Sequence, residues 1–315
     1  MPTYNYIYSF NYPENESDLC KLESRHIFDT EEKDKMLFSD IKIDPSSSAF
    51  IKKRVDVSLY SDNYEELIRK IEEENIRIDG FKVEYVVLEG DATEYSERLE
   101  KLRDVGFAIK AAPDYYKPKI MFALCYHDGT WFFGTLIKDD FEWHKHNQKP
   151  CSFSNSIGQI VAKALVNIAS RGIKDNTLID SCCGVGTVLL EACFSGFDIE
   201  GCDINWKAYK HTKTNLEHYN YSATVYRSDI KDIHKKYDAA IIDLPYNMYA
   251  YSNDEITANI IESTSKIANR IVIVSTSDIE GIITKADLTI SDTCVINKAG
   301  SLRFARKIWV CEKHE

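Results

Sequence analysis

The sequence contains no long hydrophobic segment. No uninterrupted apolar run approaches the roughly 18 residues that are needed to cross a bilayer. The stretch from Met1 to Tyr6 also lacks a basic segment followed by an apolar core, which is the pattern of a secretory signal. These absences predict a cytoplasmic protein with no membrane-spanning segment.

Cys-x-x-Cys spacing is also absent, although the chain has nine cysteines. No cysteine–histidine cluster has zinc-finger spacing, and His144 and His146 lack partners at metal-ligand spacing. Most cysteines lie in apolar stretches, where a thiol behaves as a small hydrophobic side chain. We therefore expect reduced core cysteines and no metal site. A redox role for the adjacent pair Cys182 and Cys183 is the alternative.

The chain is short of positive charge: 39 Lys and Arg stand against 50 Asp and Glu, a net charge of −11. Residues 1–150 have 30 acids against 21 Lys and Arg, whereas residues 151–315 have 20 against 18. Nucleic-acid-binding proteins are usually basic, because phosphate contacts dominate their affinity. A nucleic-acid partner therefore requires local clusters of positive charge. The candidates are Lys52–Lys53–Arg54, Lys117 with Lys119, Lys145 with Lys149, and Arg303 with Arg306 and Lys307.

The order of the predicted elements divides the chain into four parts. Residues 1–54 form an α+β region, residues 55–138 an α+β module, and residues 139–152 a linker. Within the module, Asn63 is expected to cap a helix, and two strand-like runs at 119–126 and 131–137 predict a hairpin joined through Asp128 and Gly129. Residues 153–315 alternate strands and helices up to a closing antiparallel pair of strands. Strands separated by helices predict a parallel, doubly wound sheet. The predicted fold class is therefore α/β, with a Rossmann-like second half.

A glycine-rich turn follows the first predicted strand of this second half. The strand covers Leu178–Ser181, Gly184 and Gly186 lie in the turn, and a helix covers Val185–Ser195. Glycine lets the backbone approach a ligand where a Cβ atom would collide, and the helix start offers free N–H groups. The turn therefore predicts a site for a nucleotide-like ligand.

Acidic residues follow the next two predicted strands. Asp203 lies seventeen residues beyond Gly186, at the position from which a carboxylate binds two ribose hydroxyls. Asp229 follows the third strand, where it can accept a hydrogen bond from an amino group such as that of adenine. These residues fit NAD and S-adenosylmethionine equally well.

The stretch Asp243-Leu244-Pro245-Tyr246, at the end of the fourth predicted strand of the second half, favours S-adenosylmethionine over NAD. It resembles the Asp/Asn-Pro-Pro-Tyr motif of methyltransferases that act on exocyclic amines of nucleic-acid bases, with Leu244 in place of the usual proline. A base amine is a poor nucleophile, because its lone pair is delocalised into the ring. Acceptors for both of its N–H groups would turn the lone pair toward the methyl donor. Asp243 and the carbonyl of Leu244 would be these acceptors, and Tyr246 would stack on the flipped base.

The second half resembles the THUMP-containing tRNA guanine-N2-methyltransferases, especially the family that modifies guanine 10. Residues 180–187 resemble its Asp-Pro-x-Cys-Gly-x-Gly-Thr motif, with Ser181 for the usual proline. The entry to the next upstream helix, at Ser154 and Ser156, resembles the segment that helps close the cofactor site, and one of these serines is the predicted helix cap. Residues 55–138 have the size and element order of a THUMP module.

The resemblance implies a class I methyltransferase that uses S-adenosylmethionine to form N2-methylguanosine in tRNA, most specifically at guanine 10. The implied cofactor-binding residues are Ser154, Ser156, Asp180, Cys182, Gly184, Gly186, Thr187, Asp203, Ile204, Asp229, Ile230 and Asp243. The implied catalytic residues are Asp243, Leu244, Pro245 and Tyr246. The alternatives are an adenine-N6 methyltransferase, a catalytically inactive RNA-binding subunit and an NAD-dependent oxidoreductase. The sequence leaves open whether a partner subunit is needed and whether one or two methyl groups are added.

Overall fold

The computed structural model describes residues 4–154, 156–245, 254–297 and 305–313. The chain forms two compact units, which interleave along the sequence. Unit 1 consists of residues 1–11, 32–46 and 50–140, and unit 2 consists of residues 12–31, 47–49 and 141–315. The predicted region 1–54 therefore contributes residues to both units, and the functional assignment of the predicted domains stays a prediction.

The elements alternate along the chain. The strands are β1 (Tyr6–Phe10), β2 (Met36–Ser39), β3 (Ile51–Ser61), β4 (Phe81–Tyr85), β5 (Ile120–His127), β6 (Thr130–Lys138), β7 (Thr177–Asp180), β8 (Asp198–Cys202), β9 (Thr224–Tyr226), β10 (Tyr237–Asp243), β11 (Ala268–Ser275), β12 (Leu288–Asn297) and β13 (Ala305–Lys313). The helices are α1 (Ser17–Phe28), α2 (Tyr64–Glu73), α3 (Tyr95–Ala108), α4 (Gln159–Ser170), α5 (Thr187–Phe194), α6 (Trp206–His218), α7 (Asp254–Ser265) and α8 (Glu280–Lys285). None of these helices is long and apolar enough to cross a membrane.

Unit 1 is built on a six-stranded sheet in the order β2-β1-β3-β6-β5-β4. All neighbours are antiparallel except β4 and β5. The predicted β5–β6 hairpin is confirmed; Asp128 and Gly129 supply the positive φ angles that its two-residue turn requires. The predicted Asn63 cap of α2 is also confirmed, since its side chain accepts a hydrogen bond from the N–H of Glu66. The core is aromatic, and Phe122 stacks on Phe133 across the hairpin.

Unit 2 is built on a seven-stranded sheet in the order β12-β13-β11-β10-β7-β8-β9. The five strands from β11 to β9 in this order are parallel, and β13 pairs antiparallel with both β11 and β12. The central strands are nearly continuous apolar runs, as expected where helices cover both faces of a sheet. The predicted doubly wound sheet with an antiparallel terminal hairpin is confirmed.

Some local predictions were wrong. Neither Ser154 nor Ser156 caps α4: the N-cap is Gly158, with no side-chain cap bond. The predicted linker contains a 3₁₀ helix at residues 142–148, and its Trp143 and His146 are buried. Apolar and polar residues are too mixed in this stretch for periodicity to show a helix, so only tertiary packing reveals it.

Unit 2 encloses a buried group of charged side chains, which we call the His–Glu–Lys cluster: His146, Glu191 and Lys163. Nδ1 of His146 lies 2.7 Å from Oε1 of Glu191, and Nζ of Lys163 lies 3.5 Å from Oε2 of Glu191. All three side chains are 0% exposed. His146 also hydrogen-bonds the hydroxyl of Tyr221 through Nε2, at 3.0 Å. The cluster thus ties the 3₁₀ helix to α4 and α5.

Candidate active site

A pocket of about 470 Å³ lies at the carboxyl ends of the parallel strands of unit 2. The chain order of the strands reverses between β7 and β10, the point at which open α/β sheets bind their ligands. The volume falls in the range of small-molecule sites, roughly 300–1,000 Å³. The lining residues are Phe153, Ser156, Ser181, Cys182, Gly184, Asp203, Ile204, Asn205, Ala208, Ser228, Asp229, Ile230, Asp243, Leu244, Pro245, Ile256 and Ile260.

The two glycines of the turn after β7 have different roles. Gly184 lines the pocket with a φ of +56°, and a Cβ atom there would meet nothing within 4 Å. Gly186 has a φ of +78°, and a Cβ atom there would lie 2.7 Å from Cγ2 of Thr212. Gly184 therefore leaves the backbone open to a ligand, whereas Gly186 lets α5 pack closely on α6.

Asp203, directly after β8, links the end of this strand to the glycine turn by a hydrogen bond. Its Oδ2 accepts a hydrogen bond from the N–H of Gly184 at 2.9 Å, and its Oδ1 accepts one from the N–H of Asn205 at 2.8 Å. Burial raises the pKa of Asp203, and these two N–H groups oppose the shift by stabilising the carboxylate. The carboxylate is thus fixed in orientation at the pocket wall.

Asp180, the last residue of β7, is buried beneath the turn rather than placed among the lining residues. Its carboxylate accepts a hydrogen bond from the N–H of Cys182 at 3.2 Å. Burial raises its pKa well above the usual range, and the negative charges of Asp243 and Asp203 add to that shift. The next residue, Ser181, donates its N–H to the carbonyl of Ile241 at 2.9 Å. Proline has no N–H, so the usual residue of the motif would lack this bond.

Asp243 ends β10 and lines the pocket together with Leu244 and Pro245. Burial raises the pKa of its carboxyl to about 7, and the charge of Arg306 acts in the opposite direction. Leu244 is anchored, because its N–H donates to the carbonyl of Val274 at 3.1 Å and its side chain is buried. Pro245 restricts Leu244 to extended backbone. Tyr246 lies outside the described residues.

The structure brings together most of the predicted site residues. Ser156, Cys182, Gly184, Asp203, Ile204, Asp229, Ile230, Asp243, Leu244 and Pro245 all line the pocket. Ser154, Asp180, Gly186 and Thr187 do not. Their roles in the site stay predictions.

Seven lining residues were absent from the predicted set: Phe153, Ser181, Asn205, Ala208, Ser228, Ile256 and Ile260. Ile256 and Ile260 are one helical turn apart on α7, and this spacing was visible in the sequence. Because an apolar pair at that spacing is typical of core contacts, nothing in the sequence alone directed it to the pocket.

The groups at the pocket fit an adenosine-containing ligand such as S-adenosylmethionine. Asp203 supplies a carboxylate for ribose hydroxyls, and Ile204 and Ile230 supply apolar surface for a base. Thr187, the first residue of α5, has a buried hydroxyl with no hydrogen-bond partner among the described residues. Within the same described ranges, no three His, Cys, Asp or Glu side chains are arranged to hold a metal ion.

Residues 146–280 match the family model described as UPF0020, RMKL-like, methyltransferase domain. Together with the sheet order and the pocket at its reversal point, this match confirms the predicted fold class: unit 2 contains a Rossmann-like class I methyltransferase fold. The match includes the glycine turn, Asp203, Asp229 and Asp243. It also includes His146, Glu191 and Lys163.

Curated relatives carry a more particular name. The chain is 32% identical over 124 residues to a tRNA (guanine(10)-N2)-dimethyltransferase of Methanothermobacter thermautotrophicus, covering 38% of this chain and 36% of the relative. It is 27% identical over 192 residues to the protein of the same name from Methanocaldococcus jannaschii, covering 54% of each. The matched part of the chain thus spans about a third to a half of these relatives. The sequence resemblance to tRNA guanine-N2-methyltransferases is confirmed.

Among solved structures, the crystal structure of TrmN from Thermus thermophilus covers 98% of this chain and 99% of its own, with a TM-score of 0.47 and 14% identity. A predicted N6-adenine-specific DNA methylase from Listeria monocytogenes covers 98% and 96%, with a TM-score of 0.45 and 12% identity.

Proposed function

We propose that this protein is an S-adenosylmethionine-dependent tRNA methyltransferase that methylates the exocyclic N2 amine of guanine, at guanine 10. The observation that carries the proposal is the position of Asp243. This carboxylate ends a central strand, lies at the pocket, and is followed by an anchored Leu244 and by Pro245. The names of the curated relatives support tRNA as the substrate and N2 of guanine as the atom that is methylated.

The residues at the end of β10 would prepare the amine for attack. S-adenosylmethionine supplies a methyl group bonded to a positively charged sulfur. The Asp243 carboxylate and the Leu244 carbonyl accept the two N–H groups of the guanine amine and hold its lone pair toward the methyl carbon. S-adenosylmethionine would supply the methyl group and leave as the neutral thioether, and Asp243 would take up the proton that the amine loses. A pKa near 7 suits a group that takes up a proton at neutral pH.

The other pocket residues would position the cofactor. Asp203 would bind the ribose hydroxyls, Asp229 the adenine amine, and Gly184 would let the backbone come close. Ile204 and Ile230 would pack against the adenine ring. The fixed orientation of Asp203, held by two backbone N–H groups, supports its assignment.

Labelled methyl transfer from S-adenosylmethionine to unmodified tRNA, followed by nucleoside analysis, tests the proposal. We expect label in N2-methylguanosine, and the name of the relatives makes N2,N2-dimethylguanosine the second product to look for. Substitution of guanine 10 in the transcript should abolish labelling. Label in N6-methyladenosine would assign the protein to the adenine enzymes. Cofactor binding without transfer to any tRNA would favour a non-catalytic subunit, and preferential binding of NAD would contradict the proposal.

The assignment of residues 55–138 as a THUMP-like RNA-binding domain is part of this proposal. The α+β sheet of unit 1 is compatible with it. A cytoplasmic location also stays a prediction.

A further inference from the structure

The stretch from Ile204 to Ser228 is basic within an acidic chain. It contains Lys207, Lys210, Lys213 and Arg227 against one acid, Glu217, whereas the whole chain has 39 Lys and Arg against 50 Asp and Glu. None of the four clusters of positive charge noted in the sequence includes these residues. The spacing of the three lysines hid their charge in the sequence, because residues three apart become neighbours only on a helix.

Helix α6 turns the three lysines toward solvent. Trp206, Lys210 and Lys213 follow one another at helical spacing, and Lys207 is adjacent; we call these four residues the α6 face. All four are exposed, and 49% of Trp206 remains accessible. Nζ of Lys210 lies 4.1 Å from the centroid of the Trp206 ring, which orients the indole. No ion pair with a carboxylate forms at these three lysines in the described ranges. Their charge is thus available to a ligand.

The α6 face adjoins the pocket. Ala208, on the opposite side of the same helix, lines the pocket and is buried, and Ile204 and Asn205 line it just before the helix begins. Nζ of Lys207 lies 5.9 Å from the ring centroid of Phe153, which also lines the pocket. Positive charge and an exposed indole therefore lie next to residues of the same pocket that Asp243 lines.

We propose that the α6 face binds the RNA backbone next to the target nucleotide, with the lysines on phosphates and Trp206 on a sugar or an unstacked base. This inference rests on the proposed function for its choice of RNA. Lysines without carboxylate partners fit polyphosphate, and an aromatic ring among them fits single-stranded or splayed-out nucleotides. A base that reacts at Asp243 has to leave its stack, so the flanking backbone has to pass over the surface near the pocket.

Two variants test the two parts of the face. In the triple variant Lys207→Ala, Lys210→Ala and Lys213→Ala, we expect weaker binding of unmodified tRNA. The slope of log Kd against log salt should also fall by about one for each lysine that contacts a phosphate. In Trp206→Ala, we expect a loss of affinity on the order of tenfold with an unchanged salt slope, because stacking is not ionic. Trp206→Phe should restore part of that loss.

The matched control is Lys285→Ala, an exposed lysine on α8 of the same unit. Titrations of tRNA at several salt concentrations give affinities and slopes, and calorimetry with S-adenosylmethionine should show unchanged cofactor affinity in every variant. Equal tRNA affinity and salt slope in the triple variant and the control would overturn the inference and assign the face to an acidic protein partner instead. If the wild type transfers methyl to tRNA while the variants bind normally, only this inference fails. If tRNA binds through the α6 face but no methyl is transferred, only the proposed function fails.

Discussion

Two of the places where unit 2 buries carboxylates differ in what surrounds the carboxylate. In the His–Glu–Lys cluster, Glu191 is enclosed with Lys163 and His146 at 3.5 and 2.7 Å. Beneath the glycine turn, next to the pocket, Asp180 is buried with one N–H donor, and the charges that act on it are those of Asp243 and Asp203. The pKa of both Asp180 and Asp243 is raised, mainly by burial.

The comparison separates a structural use of buried charge from a functional one. Removing one partner from a buried group of this kind is strongly destabilising, because the remaining polar or charged group is left unpaired in the interior. Carboxylates crowded at a pocket cost stability, and such clusters recur where a protein needs groups with shifted pKa values. We therefore expect substitutions in the cluster to affect unfolding, and substitutions at the pocket to affect binding and turnover.

The largest expected effect on stability is that of Glu191→Ala. It removes the carboxylate that faces Lys163 and His146 in the interior, and breaking a buried pair in this way costs about 3–5 kcal/mol. Urea unfolding monitored by circular dichroism measures the change. Glu217→Ala, at an exposed position on α6, is the control and should stay within about 0.5 kcal/mol of the wild type. A Glu191→Ala variant as stable as the wild type would contradict the structural role that we assign to Glu191.

The next effect is on cofactor binding, through Asp203→Ala. Two hydrogen bonds from ribose hydroxyls to a carboxylate contribute about 1.5 kcal/mol each, so S-adenosylmethionine should bind about a hundredfold more weakly. Calorimetric titration measures this affinity. Asp198→Ala, at the opposite end of the same strand and exposed, serves as the control. Asp203→Asn keeps an acceptor for one of the two N–H groups, those of Gly184 and Asn205, and the free energy of unfolding of each variant separates loss of binding from loss of loop structure. Unchanged affinity in both Asp203 variants would place the ribose elsewhere.

The smallest expected effect is on the pH dependence of stability and turnover, which the pKa of Asp243 sets. Its native pKa of about 7 lies above the unfolded value of 3.8, so the native state binds more protons between these pH values. Its contribution to stability is therefore present at low pH and is lost as pH rises to about 7. Turnover should follow the opposite course, rising through pH 7, because the ionised carboxylate accepts the amine.

Arg306→Gln sharpens this prediction. Because the charge of Arg306 lowers the pKa of Asp243, its removal should move the acid limb of the pH–rate profile to higher pH. Lys307→Gln, the next residue on β13, is the control. A profile that keeps its midpoint in Arg306→Gln would mean that the limb reports another group.

Much of unit 2 was predictable because its signals are local. Apolar runs bounded by acids and glycines indicated the strands β7, β8 and β10. Because the carboxyl ends of parallel strands meet at one edge of the sheet, Asp203, Asp229 and Asp243 were expected to lie close together. In unit 1, the β5–β6 hairpin was predictable in the same way, from two apolar runs joined by Asp128 and Gly129. These patterns need no knowledge of distant contacts.

The remainder depends on long-range packing. His146 and Glu191 are 45 residues apart, and only the fold reveals that they share a buried site. The expected approach of Gly186 to the cofactor stays a prediction, whereas its close packing against Thr212 on α6 could not be read from the sequence. The charge of α6 was missed in the same way, because its lysines are separated in sequence and adjacent on the helix.

The central claim is that Asp243 acts on the substrate while Glu191 holds the fold, and one paired measurement tests it directly. Single-turnover methyl transfer to unmodified tRNA, with saturating S-adenosylmethionine, is compared for Asp243→Asn and Glu191→Gln, each with its free energy of unfolding. We predict that Asp243→Asn loses at least about a hundredfold in rate, as expected for a lost proton acceptor, without loss of stability. Glu191→Gln should lose stability while its folded fraction turns over normally. A near-wild-type rate in Asp243→Asn would contradict the account.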